Sequence, residues 1–170
     1  MKFHISLLDT SFHDRESFDC GKSQLNDYLK KIASQDAKKD YSKTFVATTE
    51  VESKNILGYY STSASIIEFE NIPQNLSRRL PKYPAPCMLI GRLAVDKQMQ
   101  GKKLGETLLM HALNKAVRVT SEMAIFAVRV DALDEEAKKF YLRYGFIPFK
   151  DKELSLLLPM KTIIKSLGVN

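Results

Sequence analysis

Apolar and polar positions first alternate along a short segment, Phe3–Leu8, which predicts a strand. From about Ser23 the spacing changes: Leu25, Leu29, Ile32 and Ala33 fall on one stripe with a polar reverse face, as in an amphipathic helix. Two strand segments follow, Thr44–Thr49 and Ile56–Ile67, divided by the polar turn Glu52-Ser53-Lys54-Asn55. Between Pro73 and Pro81 there is room only for a short helix, Gln74–Leu80, carrying Arg78 and Arg79. Cys87–Val95 reads as an apolar strand. Gly101–Thr120 reads as a long helix with Leu104, Leu108, Leu109, Leu113, Ala116 and Val117 inward, and Ala124–Val130 as a further strand.

The next helix carries the clearest signals. Asp134 stands at the N-cap, Glu135 and Glu136 in the first turn, and Lys138, Lys139 and Arg143 toward the end, with Gly145 as the stop. Leu133, Ala137, Phe140, Tyr141 and Tyr144 form its inward stripe. Phe146–Phe149 and Leu154–Pro159 can close a sheet as a hairpin, and Met160–Leu167 predicts a terminal helix. The order β-α-β-β-(α)-β-α-β-α-β-β describes a mixed α/β (α+β) sandwich, a central mixed β-sheet flanked by helices. It is expected to form a single domain over 1–170.

Composition narrows the function classes. The 170 residues, 44% hydrophobic and 27% charged, are those of a globular protein able to bury a core. The N-terminus lacks the apolar core and small-residue cleavage site of a signal peptide, and no apolar run reaches the roughly 20 residues of a membrane span. A cytoplasmic location is therefore expected. Cys20 and Cys87 are too few and scattered for a disulfide framework, and His4, His13 and His111 do not cluster, so no metal is expected. A nucleophilic Cys87 would lack a nearby histidine. The formal charge of +6 suits a polyanionic ligand or substrate as well as a solvated basic surface.

Chemistry concentrates where the strand ending Leu93-Ala94-Val95 runs through Asp96-Lys97-Gln98-Met99 into Gln100-Gly101-Lys102-Lys103-Leu104-Gly105-Glu106. A glycine-containing loop that opens a helix points unpaired backbone N–H groups and the positive end of the helix dipole at one spot, which favours phosphate. Many such junctions bind nothing. This one fits neither GxxxxGK[ST] nor GxGxxG, which removes the nucleoside-triphosphate and dinucleotide readings.

About 30 residues later comes Asp134-x-x-Ala137-x-x-Phe140-Tyr141-x-x-Tyr144-Gly145-Phe146. With this second half the chain resembles the GNAT superfamily of N-acetyltransferases. That family pairs a Q/R-x-x-G-x-G/A loop for the CoA pyrophosphate with a later N-x-x-A-x-x-(F/L)-Y-x-x-x-G-F helix. Further segments narrow the resemblance to the GNAT toxins of type II toxin–antitoxin systems: Phe18-Asp19-Cys20-Gly21, Leu25-Asn26-Asp27-Tyr28-Leu29, Gly58-Tyr59-Tyr60-Ser61, Arg78-Arg79-Leu80-Pro81-Lys82-Tyr83-Pro84 and Gly91-Arg92-Leu93-Ala94-Val95-Asp96. Two positions depart from the superfamily pattern. Lys103 stands where it prefers glycine, with Gly101 able to supply flexibility instead. Asp134 stands in place of Asn.

The resemblance implies acetyl-CoA as cosubstrate and the α-amine of aminoacyl-tRNA as acceptor, with translation blocked as the result. It also implies a ribbon-helix-helix antitoxin as partner. Members often form homodimers, although no residue pattern here marks an interface. Leu93, Ala94 and Val95 would bind the pantetheine arm as a neighbouring strand, with the Leu93 N–H facing the thioester carbonyl. Gln100, Gly101, Lys102, Lys103, Leu104, Gly105 and Glu106 would hold the pyrophosphate, with Asp134, Ala137 and Tyr144 completing the cofactor side. Tyr141 would protonate the departing thiolate, though on its apolar stripe it could equally be a core aromatic. Arg78, Arg79, Lys82 and Arg92 are the candidate tRNA contacts, against the plainer reading of a decorated surface. Glu68 and Glu70 are possible water-bridged bases but read more naturally as solvated carboxylates, as Lys30, Lys31, Lys38 and Lys39 read as a solvated helix face. Two other functions stay open: N-acetylation of a small amine or protein amine, and a CoA-binding module without turnover.

Overall fold

A computed structural model describes residues 1–168. Its seven strands form one mixed sheet in the order β1-β2-β3-β4-β5-β7-β6. They are β1 (His4–Leu7), β2 (Lys43–Thr48), β3 (Gly58–Ile67), β4 (Ala85–Val95), β5 (Ala127–Asp131), β6 (Ile147–Pro148) and β7 (Ser155–Pro159). The helices are α1 (Ser23–Asp27), α2 (Ala33–Lys38), α3 (Gln74–Ser77), α4 (Leu104–Thr120), α5 (Glu135–Arg143) and α6 (Met160–Leu167). The element order expected from the hydrophobic pattern is the one observed. By its contacts the chain divides into two compact units, Met1–Ser63 with Gly91–Ala112, and Ala64–Ile90 with Leu113 onward. No helix among the described residues is long and apolar enough to cross a membrane.

In the first unit β1, β2 and the start of β3 form an antiparallel meander, with Thr44 opposite Ser61 and Val46 opposite Tyr59. Alternation turns Val46 and Tyr59 to one face, where they pack with Phe18, Tyr28, Leu29, Ala33, Ile56 and Ala94. The helix over this face is not regular. Between α1 and α2 the chain makes a π turn, Tyr28–Ile32. The wider turn rotates the stripe, so Tyr28 and Leu29 are buried while Ile32, expected inward, is 45% exposed. The Tyr28 hydroxyl meets Asp36 at 3.0 Å and Ser42 at 2.6 Å.

In the second unit β4 pairs parallel with β5 from Cys87↔Ala127 to Ile90↔Val130, and β5, β7 and β6 form an antiparallel run. Ile67, Ile72, Ala85, Cys87, Ala127, Phe149 and Leu157 build the buried cluster on one face. The expected inward Leu133 is 40% exposed because it precedes the Asp134 cap and so lies off the helical stripe. The short helix stops at Ser77, leaving Arg78 and Arg79 in the turn beyond it.

Gly58 shows how tightly β3 meets α4 within the first unit. A Cβ there would stand 3.0 Å from the Ala94 carbonyl oxygen and Leu108 Cδ1, and 3.1 Å from Leu104 Cδ2. Gly58→Ala is expected to destabilise the protein by about 1–3 kcal/mol through overpacking. The check is urea denaturation, and an unchanged midpoint would contradict this packing.

Candidate active site

The loop after β4 is built by side chains that accept or donate to backbone. Asp96 takes the Gln98 N–H on one carboxylate oxygen and the Asp19 N–H on the other, both at 3.0 Å. The Lys97 N–H returns to the Asp19 carbonyl at 2.9 Å, and Lys97 Nζ lies 3.0 Å from the Asp19 carboxylate. Gln100 Nε2 donates to the carbonyls of Cys20 and Val95, each at 3.0 Å. Asp19 in turn accepts from the Gly21 N–H and Asn26 Nδ2, and Asn26 Oδ1 accepts the Cys20 N–H. With the Gly21 amide, Asn26 and Lys97 on it, the Asp19 carboxyl is held down to about 2. The Phe18–Gly21 segment is therefore the anchor of the loop, a role that sequence reading did not assign to Asp19, Asn26 or Asp96.

Past Gln100 the backbone adopts two left-handed residues, Gly101 at φ 78° and Lys103 at φ 64°. Lys103 thus takes the conformation of the glycine it replaces. Helix α4 starts at Leu104, three residues later than expected, because this left-handed bend must finish first. The Lys102 N–H reaches Met99 O at 3.4 Å, and the Thr107 N–H reaches Lys103 O at 3.1 Å. Among the described residues the N–H groups of Gly101, Lys103, Leu104, Gly105 and Glu106 have no acceptor. Five uncommitted amides at the start of a 17-residue helix make an anion site by geometry and dipole alike. The Leu104 side chain is core, 1% exposed, so only its amide faces this function.

On β4 itself, the ladder to β5 covers Cys87–Ile90 and the strand continues to Val95. Just beyond, the Asp96 N–H donates to Leu57 O at 2.8 Å, on the β3 side. The Val95 carbonyl takes the Gln100 side chain at 3.0 Å, which ties the end of the strand to the loop. Ala94, one residue out of phase, points its side chain into the buried cluster.

Tyr141 belongs to the second unit. Asp134 caps α5, accepting the Ala137 N–H at 2.9 Å, which commits both residues to the helix start. At the other end, with Gly145 at φ 88°, the Gly145 N–H reaches Leu142 O at 3.1 Å and the Phe146 N–H reaches Tyr141 O at 3.3 Å. This is a Schellman closure, and its usual apolar contact is Phe146 against Tyr141, with ring centroids 5.4 Å apart. Phe140 packs on the Tyr141 ring at 5.2 Å and on Tyr144 at 5.0 Å. Tyr141 is 5% exposed, and its hydroxyl has no hydrogen-bond partner among the described residues. Burial pushes its pKa well above the ordinary tyrosine value, and the charge of Asp131 pushes the same way. The phenol is therefore a rigidly held group that stays protonated.

The remaining candidates are scattered. Arg78 and Lys82 line a cleft together with Lys150; Arg79 is exposed beside it. Arg92 lies in the first unit with its guanidinium 3.6 Å above the Tyr28 ring. Glu68 and Glu70 are exposed. Cys20 and Cys87 are free, buried thiols, and burial pushes Cys87 up to about 11, far from a reactive thiolate. Among the described residues no group of three His, Cys, Asp or Glu could hold a metal ion.

An amide-lined loop after a strand, in a seven-stranded sheet of this order, suits a ligand that carries phosphate. The model of the GNAT acetyltransferase domain matches residues 81–161. This chain belongs to the GNAT acetyltransferase family. It is 32% identical over 148 residues to the tRNA-acetylating toxin of Mycobacterium tuberculosis, covering 87% of each chain. Its structure is similar to that of AtaT complexed with acetyl-methionyl-tRNAfMet (TM-score 0.90, 29% identity, 99% of this chain and 100% of that one). It is also similar to a Tyr-to-Phe variant of AtaT bound to acetyl-CoA and the C-terminus of the antitoxin AtaR (TM-score 0.83, 28% identity, 97% and 98%).

The left-handed Lys103 generates a direct test. Lys103→Gly is expected to keep acetyl-CoA affinity within about threefold, since glycine fits this conformation without strain. Lys103→Val, β-branched at positive φ, is expected to lower both thermal stability and affinity. Calorimetric titration and thermal melts read both; equal behaviour of the two variants would contradict the geometry.

Proposed function

We propose that this chain transfers the acetyl group of acetyl-CoA to the α-amine of aminoacyl-tRNA, acting in the cytoplasm as a translation-blocking toxin restrained by an antitoxin. The observation that carries the reading is the set of uncommitted amides at Gly101 and at Lys103, Leu104, Gly105 and Glu106, just beyond the strand that bears the Leu93 and Val95 amides. A pyrophosphate suits the first set, and an extended amide-bearing arm suits the second as an added strand. The tRNA acceptor is supported by the relatives: one is called a tRNA-acetylating toxin, and another was solved with acetyl-methionyl-tRNA. The antitoxin is supported by the complex of AtaT with AtaR.

The chemistry then divides among few groups. The free amine attacks the thioester carbon, and the Leu93 N–H stabilises the oxygen that gains negative charge. As the C–N bond holds and the C–S bond breaks, Tyr141 gives its proton to the sulfur and recovers one from solvent. The nitrogen releases its surplus proton to water. An α-amine, with pKa near 8, is neutral in a fair fraction of molecules at cellular pH, whereas a lysine amine near 10.4 is almost wholly protonated. An acceptor of the first kind needs no strong base, which agrees with the exposed, solvated state of Glu68 and Glu70.

Two measurements test this reading. Charged tRNAs incubated with labelled acetyl-CoA are expected to yield N-acetylaminoacyl ends; failure with every charged tRNA would remove the substrate assignment. Tyr141→Phe is expected to lower turnover by about 10²–10⁴-fold while acetyl-CoA still binds. Because the Tyr141 pKa is raised, its acid form persists through pH 10, and no alkaline loss of rate from this group is expected below that pH. Folding stability linked to Tyr141 follows the same sign: fully present below about pH 10 and lost only as pH rises further.

A further inference from the structure

The cleft in the second unit has a chemistry of its own. Its volume is about 340 Å³, near the small end of the roughly 300–1,000 Å³ typical of small-ligand sites. Arg78, Lys82 and Lys150 line it with a single carboxylate, Glu70, and none of the three cations forms an ion pair among the described residues. Three positive charges against one negative leave the lining electropositive. Phe69 and Leu80 supply apolar surface.

The walls are anchored. The Lys150 N–H donates to Asn71 O at 2.9 Å, which ties the segment after β6 to the short 3₁₀ turn Phe69–Asn71. Leu80 packs against the buried cluster containing Ile72 and Phe149, so that side of the cleft is continuous with the core. Unpaired cations around an aromatic face suit one molecular shape well: a phosphate joined to a flat base. An acidic peptide would use the cations but gain little from the Phe69 ring.

We propose that this cleft is a nucleotide subsite, holding one nucleotide of the unpaired 3′ end of the acceptor, with its phosphate on Arg78, Lys82 and Lys150 and its base against Phe69. The assignment rests on the aminoacyl-tRNA reading and adds to it a defined place for the single strand, with Lys150 and Phe69 as its added contacts.

The test uses the full chain in two arms. In the first, a short single-stranded RNA ending in CCA is titrated by fluorescence anisotropy at several salt concentrations. Lys150→Glu and Lys82→Glu are each expected to raise Kd about tenfold and to lower the salt slope by about 0.7 for each lost phosphate contact. Phe69→Ala is expected to raise Kd about tenfold with the slope unchanged, the mark of lost stacking. Acetyl-CoA affinity by calorimetry confirms that each variant is folded. In the second arm, KM for charged tRNA is expected to rise in the same variants. RNA affinity equal in all variants overturns the subsite, as does an acidic peptide that binds the cleft more tightly than the RNA. If the wild type binds RNA with this variant pattern but acetylates no charged tRNA, the subsite stands and the transferase substrate falls.

Discussion

The carboxylate of Asp96 accepts two backbone amides at once, one from its own turn and one from Asp19, 77 positions earlier in the chain. That double acceptance joins the end of β4 to the Phe18–Gly21 segment, and Lys97 and Gln100 reinforce it from either side. The loop is thereby shaped without using its own later amides. A loop that satisfied itself internally would have spent those donors. Here the anchoring is delegated to side chains, and the donors at Gly101 and at Lys103, Leu104, Gly105 and Glu106 are left for a ligand.

The contrast between α4 and α5 makes the same point energetically. Helix α5 is capped at both ends: the Asp134 carboxylate stands at its start and takes the Ala137 amide, and Gly145 with Phe146 closes the last carbonyls. Such an end has little left to offer an anion, and its closure has another product, because Phe146 is the residue that wedges the Tyr141 ring. Helix α4 begins after Lys103, whose side chain cannot accept a hydrogen bond, so the amides of its first turn stay uncommitted. One helix is built to hold a side chain rigidly and the other to hold something outside the protein.

Much of this was legible from residue spacing. The Asp134 cap, the Gly145 stop, the element order and the terminal helix Met160–Leu167 follow from local signals, and local signals govern them in the fold. Ile32 was misplaced because no residue type announces a π turn, and one extra residue rotates everything after it. The start of α4 was set too early because a lysine was not expected at positive φ. Asp19, Asn26 and Lys150 went unassigned for a different reason: their partners lie on other elements, and a one-dimensional pattern carries no trace of such pairings. The Tyr141–Phe146 contact is the intermediate case. It is a capping motif that could have been read from the Tyr-x-x-x-Gly-Phe spacing alone, before any family resemblance.

Lys103 makes the link between fold and function sharpest. A non-glycine residue in the left-handed region costs roughly 1–2 kcal/mol, while glycine would restore part of that cost through the entropy of the unfolded chain. The net penalty is therefore near 1 kcal/mol, and the free protein bears it continuously. An exposed ammonium beside a phosphate contributes only about 0.2–1 kcal/mol, and only when the ligand is present. On the proposed reading, lysine at this position shifts stability from the free enzyme to the complex, whereas glycine would favour the free state. A strained residue facing an anion site is then understandable as a way of making the loop depend on its cosubstrate, since the conformation that strains Lys103 is also the one that leaves the neighbouring amides uncommitted.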